Sequence, residues 1–187
     1  MIITISGLPG SGTTTAARLL AKRLGYRLVS AGELFRKMAR NSGLSLEEFG
    51  KKALADPSID RNLDEHMLRI AREAVGKDGG IVLEGRLTGA LTYAEGIEAF
   101  RVFLEAPISV RAERIARREG KSVSKARKEA VERERCEVER YIKFYGIDPR
   151  DRKIYDLVID SSKYVPEEIV EQIIRGAFHD NSVQKRA

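Results

Sequence analysis

Residues Gly7 to Thr14 read GLPGSGTT, the glycine-rich phosphate-binding loop G-x-x-x-x-G-K-[ST] complete except that Thr13 stands in place of its lysine. The loop follows the apolar, β-branched run MIITIS and opens onto TTTAARLLAKRLG, where Ala16, Leu19, Leu20 and Leu24 recur at helical spacing. Gly7, Gly10 and Gly12 permit a tight turn, and backbone amides then converge at a helix N-terminus whose dipole favours negative charge. The segment from Gly7 through Leu8, Pro9, Gly10, Ser11, Gly12, Thr13 and Thr14 to Thr15 is therefore expected to bind ATP. The Thr14 hydroxyl falls where the motif places a magnesium ligand, and Thr13 where the lysine touches the β and γ phosphates. The cradle is kept and its built-in cation is absent. A glycine turn with no ligand is the alternative.

Along the rest of the chain, short apolar runs alternate with helical patterns. YRLVS (26–30), IVLE (81–84), FRVFLEAP (100–107) and YDLVID (155–160) read as strands covered on both faces. Helical patterns cover AGELFRKMAR, LEEFGKKALA behind a Ser45–Glu48 capping box, 60–75, one charged stretch over 110–144, and a last helix that stops at Gly176. The prediction is a doubly wound, five-stranded parallel α/β sheet that binds ligands outside the carboxyl ends of its strands. One domain is expected over 1–178, with helical inserts at about 32–76 and 111–145 above that edge and a frayed tail at 179–187.

Net charge is +6 with a pI near 9.5, which favours anionic partners. Cys136 is the single cysteine and no apolar run reaches the length of a membrane span, so a reducing cytoplasm is expected. Charged residues make up 33% while Asn and Gln appear only five times together, a balance reported for proteins of hot environments. His66, His179 and Cys136 form no metal-ligand or nucleophile pattern.

Several side chains beyond the loop fall where chemistry is expected. Glu84 and Arg86 end the third strand in LEGR, an acid in position to orient magnesium or its waters. Between 111 and 152 fourteen basic residues interleave with nine acids, mostly readable as a solvated helix face. Within it Arg114 and Arg118 are four apart with Arg117 alongside, and Arg133, Glu137 and Arg140 share one face. Ser30 and Arg36 lie at the turn after the second strand. In DPSIDR, Asp60 or Arg61 is a candidate to read a cytosine edge, the acid accepting from the amino group and the arginine donating to carbonyl and ring nitrogen. A helix cap with a surface ion pair is the alternative. Tyr141, Phe144 and Tyr145 have the spacing of a core stripe rather than a base-stacking platform.

Taken in order, GLPGSGTTT, VSAGELFR, LEGRLTG, RAERIARREG, ERERCEVERYIKFYGID and YDLVIDSS resemble the cytidylate kinases of the short archaeal type, a nucleoside monophosphate kinase branch of the P-loop NTPases. The resemblance runs from Met1 to about Ile174. It implies phosphorylation of CMP and dCMP by ATP with Mg2+, the insert at 32–76 binding the nucleoside monophosphate and 111–145 forming a short lid. Thr14 and Glu84 become the metal-side residues, with Glu84 where relatives carry aspartate. Arg114, Arg118, Arg86 and Arg140 become the catalytic arginines, and Arg117 a further ATP contact. Ser30, Arg36, Asp60, Arg61, Arg86, Arg133, Glu137 and Arg140 are assigned to CMP, with Arg133 and Glu137 at its sugar. A monomer without a membrane or nucleic-acid partner is expected. The competing readings are a kinase for AMP or shikimate and a nucleotide-sensing or RNA-binding module. The arginines cluster on helix faces near one cleft and lack interleaved aromatics, which argues against the last.

Overall fold

The structure is a computed structural model and describes residues 1–179. Strands β1 (Ile2–Gly7), β2 (Arg27–Ser30), β3 (Ile81–Glu84), β4 (Phe100–Glu105) and β5 (Leu157–Asp160) form one parallel sheet in the order β2-β3-β1-β4-β5. Reversal of strand order on either side of β1 places the loop after β1 at the switch point, where crossovers leave a crevice.

Pleating divides the apolar residues between two layers. Ile3, Ile5, Val82, Val102 and Leu104 pack with Ala16, Ala17 and Leu20 of α1 (Thr13–Leu24) and with Val170 and Ile173 of α8 (Pro166–His179). Their neighbours Ile2, Ile81 and Leu83 point the other way, onto Met67, Ile70 and Ala71 of α4 (Pro57–Ala74) and Leu91 of α5 (Thr88–Ala94). Tyr141 joins this second layer with Tyr145 against it, whereas half-buried Phe144 belongs to neither layer, so only two of the three aromatics form the expected core stripe. No described helix is long and apolar enough to cross a membrane.

Between β2 and β3 stand α2 (Ala31–Asn41), α3 (Leu46–Ala55) and α4. A capping box at Ser45 and Glu48 starts α3, as its sequence predicts. Strands β2, β4 and β5 are shorter than the runs 26–30, 100–107 and 155–160, and four helix readings also differ. Helix α4 begins at Pro57 rather than Asp60, because Asp56 caps it by accepting from the Ser58 amide and proline is compatible with the first turn. The charged stretch is two helices, α6 (Ile108–Glu119) and α7 (Val123–Tyr145), divided where Gly120 turns left-handed at φ 64° and Ser122 caps α7. Helix α5 was not foreseen. Gly176 does not end α8: an added Cβ there would meet Phe100 Cζ at 2.9 Å, so this glycine serves close packing. Of the tail expected at 179–187, His179 is instead the last residue of α8 and 180–187 lie outside the described residues.

Candidate functional site

The loop after β1 takes its shape from two glycines. Gly10 (φ 84°) and Gly12 (φ 94°) are left-handed, and a Cβ on Gly10 would lie 2.7 Å from the Arg111 carbonyl oxygen. Gly12 caps α1 without any side-chain hydrogen bond, so the first-turn amides keep their capacity for an anion. Gly7 is the last residue of β1 and is excluded from bearing a side chain by the Leu104 carbonyl oxygen, 2.4 Å from an ideal Cβ.

Glu84 ends β3, level with Ile5 of β1 and Ser30 of β2. Its carboxylate is buried and gathers three hydroxyls: Oε1 accepts from Thr13 at 2.7 Å and Thr14 at 3.2 Å, and Oε2 accepts from Ser30. The residue in the lysine position is thus tied to the acid across the switch point. A hydroxyl and a carboxylate beside an anion-binding turn fit a hard cation that keeps water and takes further oxygens from phosphate, the mode in which Mg2+ is usually held. No cluster of three or more potential metal-binding side chains exists among the described residues.

A cleft of about 810 Å³ runs from this loop across the sheet edge, walled by α2, α4, α6 and α7. Arg114 sits against the loop: its guanidinium donates to the Ser161 carbonyl at 2.7 Å, the Ser161 hydroxyl at 2.9 Å and the Gly10 carbonyl at 3.5 Å. Ser161 in turn donates to the Ser11 carbonyl at 2.7 Å. Arg118, one turn further, also lines the cleft and among the described residues pairs only with its neighbour Glu119, at 2.5 Å.

Farther along, Arg86 donates through Nη1 to the Gly7 carbonyl at 2.8 Å and through Nε to Glu137 at 2.9 Å, while Arg133 reaches the other Glu137 oxygen at 2.8 Å. Burial alone raises a carboxyl's pKa. Here Arg86 and Arg133, with Arg140 nearby, outweigh it and hold Glu137 down at about 2. Arg140 Nε approaches Asp60 Oδ2 at 2.6 Å with both residues buried, yet the pair lacks hydrogen-bond alignment. Arg36 of α2 lines the cleft with no hydrogen bond among the described residues. Burial lowers its pKa, with Arg118 and Arg133 adding to the effect and Glu84 and Glu33 opposing it.

The cleft brings together Pro9, Gly10, Ser11, Gly12, Thr13, Thr14, Thr15, Arg36, Asp60, Glu84, Arg86, Arg114, Arg118, Arg133, Glu137 and Arg140; Ser30 meets it through Glu84. Arg61 and Arg117 are exposed and do not line it. Adjacent helical residues point about 100° apart, so burying Asp60 turns Arg61 outward. Arg117 is displaced in the same way by Arg114 and Arg118. Leu8 also stays off the wall, half-buried.

Three residues escaped the sequence reading. Arg111 is buried and bonds the carbonyls of Pro9 and Ala106 and the Glu134 carboxylate, which fastens α6 and α7 to the loop. Ser161 anchors Arg114. Asp64, one turn after Asp60 and on the same wall, accepts from the Tyr145 hydroxyl at 2.7 Å. Only Asp64 had a local signal, its i,i+4 relation to Asp60.

A parallel sheet with a phosphate-binding turn at its switch point, an acid on the adjacent strand and arginines converging from two helical inserts defines a kinase of the P-loop class. Residues 2–163 match the model of the cytidylate kinase-like family, and the chain belongs to that family. It is 46% identical to the cytidylate kinase of Methanopyrus kandleri, over 90% of this chain and 88% of that one. Identity to the cytidylate kinase of Pyrococcus abyssi is 48%, over 89% and 88% respectively. Among solved structures, an uncharacterized protein from Eubacterium ventriosum superimposes with a TM-score of 0.69 at 19% identity, covering 94% of this chain and 96% of the other. Shikimate kinase from Aquifex aeolicus does so at 0.59 and 19%, covering 99% and 100%. Those two share the fold.

Proposed function

We propose that the protein transfers the γ-phosphoryl group of ATP to CMP, and also to dCMP, by direct in-line displacement without a covalent intermediate. The observation that carries this reading is one cleft with anion-binding groups at both ends: the amide nest and Arg114 at the loop, and Arg36, Arg86 and Arg140 along the far wall. The catalysis required is positioning and charge neutralisation.

The ATP phosphates rest on the amides of the loop and of the first turn of α1, with Arg114 beside them. Thr14 and Glu84 would hold Mg2+, which supplies neutralisation of the β and γ oxygens. Arg36 and the Nη2 of Arg86, which has no partner among the described residues, clamp the acceptor phosphate, for which a forked guanidinium is well shaped. Glu137, kept ionised by its arginines, orients the sugar with Arg133, and Arg140 stands between sugar and phosphate. The 32–76 segment closes over the acceptor and the 111–145 segment over the donor. The chain acts as a monomer in the cytoplasm.

ADP release from ATP, measured with each nucleoside monophosphate and with shikimate in turn, tests the reading. CMP is expected to give the highest kcat/KM. Equal or better turnover of AMP or shikimate refutes it, and a chain inert with every acceptor favours a nucleotide sensor.

A further inference from the structure

Asp60 and Asp64 lie one turn apart on α4 and both line the cleft, with Leu63 beside them. They end a series of contacts that leads away from the loop. Arg86 bonds the Gly7 carbonyl and Glu137; Arg140, on the Glu137 face of α7, approaches Asp60; Tyr145 bonds Asp64. A nucleotide whose phosphate lies at Arg36 and Arg86 and whose sugar lies at Glu137 therefore brings its base to this wall.

The two acids differ in their partners. Asp60 faces the Arg140 cation. Asp64 Oδ2 accepts from Tyr145, and its Oδ1 has no hydrogen bond among the described residues. Facing Asp64 are Asp60 from its own helix and Arg140, Tyr141 and Tyr145 from α7, while Arg36, Arg133 and Glu137 line the same cleft. Burial, helped by the Asp60 charge and opposed by the Tyr145 bond and Arg140, raises the Asp64 carboxyl to about 7.

We propose that Asp64 reads the Watson–Crick edge of cytosine as a neutral carboxyl, its hydroxyl donating to ring N3 and its other oxygen accepting from the exocyclic amino group. This inference rests on CMP being the acceptor. Cytosine presents a donor beside an acceptor. An ionised carboxylate pairs with the amino group alone and turns a lone pair toward N3, whereas the neutral acid satisfies both positions. The base site thus carries one proton between Asp64 and N3, taken from solvent wherever free Asp64 is ionised.

Titration calorimetry of CMP without ATP, between pH 6.5 and 8.5 and in two buffers of different ionisation enthalpy, reads that proton. The wild type is expected to take up close to one proton at the upper end, with Kd weakening about tenfold per pH unit above the Asp64 pKa, the slope for one linked proton. Asp64→Asn presents an N–H donor and a carbonyl acceptor in the same places. It should bind CMP with near-wild-type affinity at pH 6.5 and take up about one proton less at pH 8.5, without the wild type's tenfold weakening of Kd per pH unit. Titration of the CMP phosphate is common to both proteins and cancels in the difference. Asp64→Ala should weaken Kd about tenfold or more. Equal proton uptake in wild type and Asp64→Asn overturns the proposal, as does unweakened CMP binding by Asp64→Ala. Absence of proton uptake by the wild type overturns it without any variant. If the wild type binds no CMP yet phosphorylates another acceptor, the functional reading itself fails.

Discussion

The Thr13 hydroxyl donates to Glu84 at 2.7 Å, so the residue that occupies the lysine position is bonded to the acid at the end of the neighbouring strand. Thr14 and Ser30 bond the same carboxylate, which joins the loop, β3 and the start of α2 through one buried group. An aspartate, one methylene shorter, is expected to fall short of at least one of these three hydroxyls.

Shortening the Glu84 arm is therefore expected to leave hydroxyls unpaired. Glu84→Asp should cost about 1 to 3 kcal/mol and lower the melting temperature by roughly 2 to 4 °C per kcal/mol for a chain of this size. The loss should also be coupled to Thr13: in a cycle with Thr13→Ala, the double variant should depart from additivity by about 0.5 kcal/mol or more. Additive melting data would mean that the 2.7 Å bond contributes nothing of its own.

Glu137 gives the fold an acid-sensitive element. Its folded pKa of about 2 lies below the ordinary value of 4.5 because Arg86 and Arg133 overcome its burial. A depressed carboxyl stabilises the fold above its unfolded pKa, and that contribution, on the order of 3 kcal/mol, is lost as pH falls from about 4.5 toward 2. Glu137→Gln should accordingly be less stable than wild type at pH 7, and the gap should narrow on acidification. Chemical denaturation at pH 7 and pH 3 checks this; a constant gap would assign the loss to packing.

The acceptor clamp has a kinetic signature. Arg36 lines the cleft beside α4 and α7 and has no competing partner among the described residues, so it is available to a phosphate. Arg36→Ala should raise KM for CMP by about tenfold or more and leave KM for ATP nearly unchanged, with Arg36→Lys a poor substitute because it lacks the two-point geometry. A larger effect on ATP would mean that the donor and acceptor ends of the cleft are reversed.

Sequence alone disclosed the features that depend on local periodicity. The loop, the strand runs and the shared face of Arg133, Glu137 and Arg140 all follow from spacing within a few residues. Partners brought together by the fold were not legible. Arg111 reaches Pro9 and Ser161 reaches Ser11 across more than a hundred intervening residues, and no local signal marks either. Gly176 was misread because packing against Phe100 and helix termination both favour the same residue. Asp60 and Arg61 were both read as candidates although neighbouring helical positions face different ways: Asp60 lines the cleft and Arg61 is exposed.

The absent lysine leads to the last prediction. With Thr13 uncharged and committed to Glu84, neutralisation of the transferring phosphoryl group falls to the amide nest, the Thr14 side of the loop and the arginines of α6. Arg114 is fixed within 3.5 Å of the Gly10 carbonyl by two bonds to Ser161, which makes it a preorganised cation at the loop. Arg118 lines the same cleft but among the described residues is held only by exposed Glu119, so it must reorient to contribute. Preorganised charge needs no rearrangement during reaction and is therefore worth more. Arg114→Ala is expected to lower kcat by about a hundredfold or more, the scale for losing one such donor, with a smaller change in KM for ATP. Ser161→Ala, which frees Arg114 without removing it, should give a partial loss in the same direction. Arg118→Ala should also lower kcat, by less than Arg114→Ala because its guanidinium must reorient, with a stronger dependence on ionic strength because that guanidinium is exposed. Steady-state kinetics on these variants beside Thr13→Ala decides the matter: near-normal kcat in both arginine variants would show that α6 does not compensate for the missing lysine.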